Sequence, residues 1–182
     1  MSNVWKEGAF LSREISLRRL HTIEETRLLD ERFSRNYAWY KAGNYFAQCL
    51  EENREGSRVS LMAFLGEELA GCCHLLYSSY YPYFRENGIP EINDLNVFPD
   101  MRGKGIAGAL LDELEAIAAR TSRMIGLGVG LYADYGNAQR LYGKRGYVMD
   151  GRGLMYANEA VRPGQTVNVD DDLLVYLTKT IT

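Results

Sequence analysis

The segment Arg102-Gly103-Lys104-Gly105-Ile106-Ala107-Gly108 combines residue types that can hold an anion. It follows a strand-like run and opens a helix-like one. The first N–H groups of a helix have no internal partners, and the helix dipole leaves partial positive charge there. Glycines let the backbone approach a ligand and aim several N–H groups at one cluster of oxygens. Arg102 and Lys104 add charge. Such a turn suits phosphate or pyrophosphate. Gly103, Gly105 and Gly108 also satisfy G-x-G-x-x-G, the dinucleotide fingerprint, although a lone match is weak. That fold carries the motif on its first βαβ unit, with an acid at the tip of the next strand. Here the motif follows several strands and two helices, and the next strand, Met124–Tyr132, ends without an acid. A Walker A loop is absent. The pattern [Arg/Gln]-x-x-Gly-x-[Gly/Ala] is met by Arg102, Gly105 and Ala107. A tight helix-opening turn with no ligand is the bland alternative.

The elements that must position this turn can be read from periodicity. Arg13–Leu20 suits a first strand. Thr22 with Glu25 three residues on forms a capping box for a helix over IEETRLLDERF. A second helical stretch is expected over Asn36–Glu52, ended by Gly56 and Ser57. Arg58–Leu65 and Leu69–Tyr77 read as a hairpin joined by Gly66-Glu67-Glu68. The segment SSYYPYFRENGIP reads as a loop. Glu91–Phe98 is a strand stopped by Pro99. Over Ile106–Arg120, Ala107, Leu110, Leu111, Leu114, Ile117 and Ala118 form one helical stripe. Met124–Tyr132 is a glycine-rich strand. Asp134–Arg145 is a short helix ended by Gly146, and Tyr147–Asp150 a strand. A long polar connection leads to a last strand at Leu173–Ile181. Early hairpins before a βαβ core predict a mixed α/β fold, with one mixed sheet of about seven strands and helices on both faces.

The 182 residues suit a single domain with a full core. Apolar residues are 46% and charged residues 25% of the chain, as in ordinary globular proteins. The net charge of −3 gives no global attraction to nucleic acid, which places nucleic-acid binding low, and it accords with a cationic acceptor. No apolar run is long enough to span a membrane, and the N-terminal residues lack the pattern of a secretory signal. A cytoplasmic location is the default expectation. Cys49, Cys72 and Cys73 form no disulfide framework. With His21 and His74 as the two histidines, no ligand set has metal-site spacing, so no metal is expected.

Two separate stretches carry a family resemblance. EINDLNVFPDMRGKGIAGALLDELE is a strand–loop–helix, and GNAQRLYGKRGY is a short helix followed by Gly146 and Tyr147. Together, over about Glu91 to Val148, the sequence resembles the GNAT superfamily of N-acetyltransferases. The resemblance implies acetyl-CoA as co-substrate, with the pyrophosphate held by Arg102, Gly103, Lys104, Gly105, Ile106 and Ala107. It places backbone groups near Val97 beside the pantetheine and thioester, where the strand splays from its neighbour. Tyr135 stands where the family often has an asparagine. Asn137, directly before Ala138, is the candidate for that pantetheine contact.

Acetyl transfer to an amine needs a neutral amine, a stabilised oxyanion and a protonated thiolate. The resemblance assigns Tyr142 as a coenzyme A contact and as the proton donor, a role suited to a group with an ordinary pKa of about 10; the bland alternative is a tyrosine that only packs against the coenzyme A arm. Glu91 and Asp94 are equal candidates for the base or for an electrostatic anchor. Simple alternation places them on opposite faces of the strand unless a bulge intervenes. Gly126, Gly128 and Gly130 fit a splayed strand or, equally, close packing on the sheet.

The resemblance also locates the amine acceptor, a small molecule or a protein, among three distinctive segments. These are the helical stretch with Tyr37, Trp39, Tyr40 and Tyr45, the Tyr77–Phe84 loop and the 153–172 connection. Aromatic rings there could enclose an amine by cation–π contact or stack on an aromatic substrate. A homodimer is compatible with the resemblance. The rival reading is a nonenzymatic acyl-CoA-binding domain of the same fold, and a dinucleotide-dependent oxidoreductase ranks below both.

Overall fold

The computed structural model describes residues 14–182. Eight strands form one sheet in the order β1-β2-β3-β4-β5-β8-β6-β7. Its left part comprises β1 (Ile15–Arg19), β2 (Arg58–Leu65), β3 (Glu68–Leu76) and β4 (Glu91–Val97), all antiparallel neighbours. Its right part comprises β5 (Met124–Gly130), β8 (Leu173–Thr180), β6 (Val148–Tyr156) and β7 (Glu159–Ala160), again antiparallel. The two parts join through one parallel pair, β4 with β5.

Among the described residues, five α-helices accompany the sheet: α1 (Ile23–Asn36), α2 (Tyr45–Glu55), α3 (Pro82–Glu86), α4 (Ile106–Ala118) and α5 (Gly136–Lys144). The α1 capping box forms as the sequence predicts. Thr22 Oγ1 accepts from the Glu25 N–H at 3.2 Å, and Glu25 Oε2 accepts from the Thr22 N–H at 3.0 Å. On one sheet face, α2 meets the even residues of β2: Glu52 pairs with Arg58 at 2.5 Å, and Asn53 accepts from the Ser60 N–H at 2.7 Å. Leu65 is odd in β2 and is the cross-strand partner of Ile15, whose side chain reaches towards Gly105 at the start of α4. Helices therefore cover both faces. Leu110, Leu111 and Leu114 of α4 are fully buried in the main core, which the helical stripe in the sequence anticipates.

Several expected boundaries shift. The second helix begins at Tyr45, not Asn36. Between the helices, Tyr37 and Tyr40 turn their rings back onto Phe33, at 5.4 and 5.1 Å. Ring burial outweighs continued helix there, where aromatic residues gain little from helical backbone. The expected loop after β3 contains α3, started by Pro82 at a position where a missing N–H costs nothing. The strand expected at Tyr147–Asp150 runs on to Tyr156. Its register with β8 shifts between Met149 and Leu154, where Gly151 and Gly153 take positive φ. That irregularity hides the strand's second half from a period-two reading. The two-residue β7 makes eight strands instead of seven.

Candidate active site

The β4–β5 ladder has two rungs, Glu91 with Gly126 and Ile92 with Leu127. Beyond Ile92 the strands part, and β4 has no ladder partner on its β5 side. The gap widens into a cleft of about 560 Å³. Its walls include Glu91 to Val97 of β4, Gly128 and Val129 of β5, and Asn137, Ala138, Leu141 and Tyr142 of α5.

A bulge in β4 helps open this gap. His74 of β3 pairs with Asn93, but Cys72 pairs with Asn96, so β4 carries one extra residue. Asp94 sits in the bulge with φ of 49°. The extra residue breaks the alternation that would place Glu91 and Asp94 on opposite faces, and both line the cleft.

Their environments differ. Glu91 is buried and accepts a hydrogen bond from the Ser79 hydroxyl, while Ser79 Oγ accepts from the Tyr81 N–H at 2.9 Å. Burial pushes the Glu91 carboxyl up to about 6, and hydrogen bonds from Ser79 and Asn93 pull the other way. Asp94 is exposed and accepts the Tyr45 hydroxyl from the start of α2. Ser79 was not singled out in the sequence. A serine in a loop gives no signal until the fold sets it against Glu91.

Tyr142 is buried in the opposite wall of the cleft, and burial holds its phenol above the ordinary tyrosine range. Its hydroxyl has no hydrogen-bond partner among the described residues. The helix carrying it is anchored just beyond. Tyr147 packs edge-on against Tyr142 at 6.0 Å and donates to Glu115 of α4 at 3.1 Å. Glu115 also holds Arg145 at 3.0 Å and Lys179 of β8 at 2.5 Å. The spacing of Tyr142, Gly146 and Tyr147 thus serves to fix α5 against α4 and β8.

The glycine turn lies at the head of α4. Gly103 and Gly105 have φ of 75° and 85°, a left-handed conformation that favours glycine. Among the described residues, the backbone hydrogen bonds outside helices and strands include none donated by Gly103, Gly105, Ile106, Ala107 or Gly108. The Arg102 Nε donates to the Val97 carbonyl at 3.2 Å, tying the turn to the end of β4, and Lys104 Nζ donates to the Asp100 carbonyl at 2.8 Å. Val97, Arg102, Ala107 and Asn137 face the cleft. Ile106 buries its side chain in the core and is not among the residues that line the cleft. Gly108 has neither positive φ nor a close neighbour, so its place in the dinucleotide pattern reflects no structural demand.

The β5 glycines answer to packing. A Cβ on Gly126 would lie 2.3 Å from the Phe84 ring of α3, and one on Gly130 would lie 2.4 Å from the Tyr135 ring. Tyr135, at the position of the family's frequent asparagine, packs there and donates to Asp171 at 2.8 Å. Among the described residues, no group of histidine, cysteine, aspartate or glutamate has the geometry to hold a metal. No helix among them is long and apolar enough to cross a membrane.

Comparison with known proteins places this geometry. The model of the acetyltransferase (GNAT) family matches residues 17–147. A search of curated protein sequences returns no match. Among solved structures, the chain is similar to a Salmonella typhimurium acetyl transferase that modifies the N-terminal serine of ribosomal protein L7/L12. Identity is 16%, the TM-score 0.67, and coverage 92% of this chain and 95% of that one. It is also similar to spermidine N-acetyltransferase from Vibrio cholerae, in complex with CoA and spermine, at 16% identity and a TM-score of 0.63, covering 92% and 95%. A third is Naa50 of Arabidopsis thaliana, in complex with the bisubstrate analogue CoA-Ac-MVNAL, at 16% identity and a TM-score of 0.61, covering 92% and 99%. The family match spans the glycine turn, the parted strands and the Tyr142 helix, and the chain belongs to the GNAT family of acetyl-CoA-dependent acetyltransferases.

Proposed function

We propose that the protein transfers an acetyl group from acetyl-CoA directly to a primary amine of a small molecule or protein, both substrates being bound together. The carrying observation is that Glu91 and Tyr142 line one cleft at the point where β4 and β5 part. A buried carboxyl and a protonated phenol there supply a base and an acid to the same space.

The turn from Arg102 to Ala107 would hold the pyrophosphate of acetyl-CoA, using its unengaged N–H groups and the helix dipole. Asn137 and the backbone near Val97 would hold the pantetheine arm. An ordinary amine is protonated at neutral pH. Glu91, with its pKa near 6, takes that proton, directly or through water, and Asp94 attracts the ammonium into place. The freed amine nitrogen bonds to the thioester carbon as the C–S bond breaks, and the second proton it then sheds to become a neutral amide passes through water to replace the one Tyr142 gives up. Backbone N–H groups on the unpaired side of β4 face the oxygen that gains charge. Tyr142 gives its proton to the departing sulfur.

Acceptors named for the similar structures, a protein N-terminus and a polyamine, support an amine as the class. Free-thiol release from acetyl-CoA across a panel of amines tests the reading. Calorimetry with acetyl-CoA and with NAD accompanies it. Thiol release with at least one amine is expected. Tight acetyl-CoA binding without transfer to any amine would leave the nonenzymatic binder in its place.

A further inference from the structure

A side pocket of about 250 Å³ opens off the cleft beside the β4 bulge, and Trp39, Asp94 and Asn96 belong to the walls of both. Resting on the amine-transfer reading above, we propose that this pocket takes a bulky apolar group, aromatic or branched, carried close to the acceptor's reacting amine.

Size limits what enters. Sites for whole small ligands run to roughly 300–1,000 Å³, so this pocket suits one group of an acceptor. Its walls are mainly rings, from Phe33, Phe46, Trp39, Tyr40 and Tyr45. The two phenol groups are already engaged, Tyr40 donating to Asp30 and Tyr45 to Asp94. Apart from Asp94, the Asn96 amide and the buried His74 Nε2, which has no hydrogen-bond partner among the described residues, what the walls offer a ligand is mainly ring carbon.

Charge limits it further. His74 also lines the pocket, fully buried, with Nδ1 2.7 Å from Ser60 Oγ. Burial pushes its imidazole down to about 3, so it is neutral at working pH. Asp94 is the one carboxylate among the described lining residues, and it sits where pocket and cleft meet. An acceptor ammonium beside Asp94 points the group it carries inward among the rings. A polyamine chain entering the pocket would bring a second ammonium with no carboxylate to meet it, and an unpaired buried charge is costly.

Trp39 forms the lip. It is 69% exposed and stacks on Tyr37 at 5.4 Å. Its bearing on the pocket comes from its place in the walls of both pocket and cleft.

The test compares kcat/KM for 2-phenylethylamine against ethylamine, and for the peptide Phe-Ala-Ala against Gly-Ala-Ala, in the wild type and in Trp39→Ala. The two pairs separate a small-molecule source of the amine from a peptide one. The bulky member of at least one pair should be preferred roughly 10- to 200-fold, the range of discrimination by apolar pockets. Trp39→Ala should shrink that ratio at least fivefold while calorimetry shows acetyl-CoA still bound, which establishes a folded protein. Equal rates within both pairs, or a preference that Trp39→Ala leaves intact, overturns the proposal and leaves amine transfer standing. No acetylation of any of the four, with transfer to another amine of the panel, overturns the pocket proposal alone, whereas acetyl-CoA binding with no transfer to any amine overturns amine transfer itself.

Discussion

Ile92 and Leu127 are the last residues of β4 and β5 to pair. One residue further on, β4 has lost its neighbour on that side, and two residues further on it carries the bulge at Asp94. A parallel strand pair that stays in register would bury its backbone groups in mutual hydrogen bonds. Parting them leaves those groups and the adjoining side chains facing one cleft.

Glu91→Gln should lower kcat/KM by about 10²-fold or more, as expected for removal of a general base. In the wild type, activity should fall as pH drops through about 6, because protonated Glu91 cannot accept the amine proton. The residual activity of the variant should lack that step. A variant with full activity, or one that keeps the step near pH 6, would exclude Glu91 as the base.

The same group makes a stability prediction with a definite sign. The folded pKa of Glu91 is raised by burial from an ordinary value of 4.5. Its stabilising contribution is therefore fully present below that value and is lost as pH rises through about 6. Glu91→Gln removes the ionisable group, so its melting temperature relative to wild type should be higher at pH 7.5 than at pH 4.5. Thermal melts at the two pH values check this, and a relative change of opposite sign would refute it.

Tyr142→Phe should reduce kcat by about 10²-fold or more with little change in acetyl-CoA affinity. The hydroxyl has no partner among the described residues, so its removal strands no buried donor or acceptor. Melting temperature should stay near wild type. Steady-state kinetics and calorimetry separate these effects, and unchanged turnover would remove Tyr142 from the chemistry.

Gly105→Ala and Gly108→Ala should behave differently although both sit in one glycine-rich turn. Gly105 holds φ of 85°, where a Cβ costs roughly 1–2 kcal/mol. Its replacement should lower the melting temperature by a few degrees and weaken acetyl-CoA binding. Gly108 is helical with open space around it, and alanine there should be neutral or mildly stabilising. Equal losses at the two positions would contradict the geometry of the turn.

Gly126→Ala pushes a methyl into the buried Phe84 ring. Overpacking of this kind costs roughly 1–3 kcal/mol. Combining it with Phe84→Leu should cost less than the two separate losses added together. Strict additivity in urea unfolding would mean that α3 does not lie on β5 as described.

The glycine turn, the α4 stripe, the α1 capping box and the Gly146-Tyr147 end of α5 were all legible because each depends on residues close in sequence. Local hydrogen bonds and helical periodicity act over four to seven positions, so a short window contains the whole cause. The start of the second helix differs because Tyr37 and Tyr40 fold their rings back onto Phe33, a local packing that helical periodicity does not register, and α3 is hidden because Phe84 packs over Gly126, far away in the chain.

Glu91, Asp94 and Tyr142 were identifiable by type and position within the family pattern. Whether they share a cleft was not, since period-two alternation places the two carboxylates apart. The sequence alone determined that an anion could rest at the head of α4 and that a tyrosine followed on the next helix. Only the tertiary structure decided the rest. One extra residue in β4 turns Asp94 towards the cleft, the loop serine Ser79 meets Glu91, and burial there raises the carboxyl to about 6. Those outcomes depend on which strand lies beside which and how far a side chain sits from water, and no stretch of neighbouring residues contains that information.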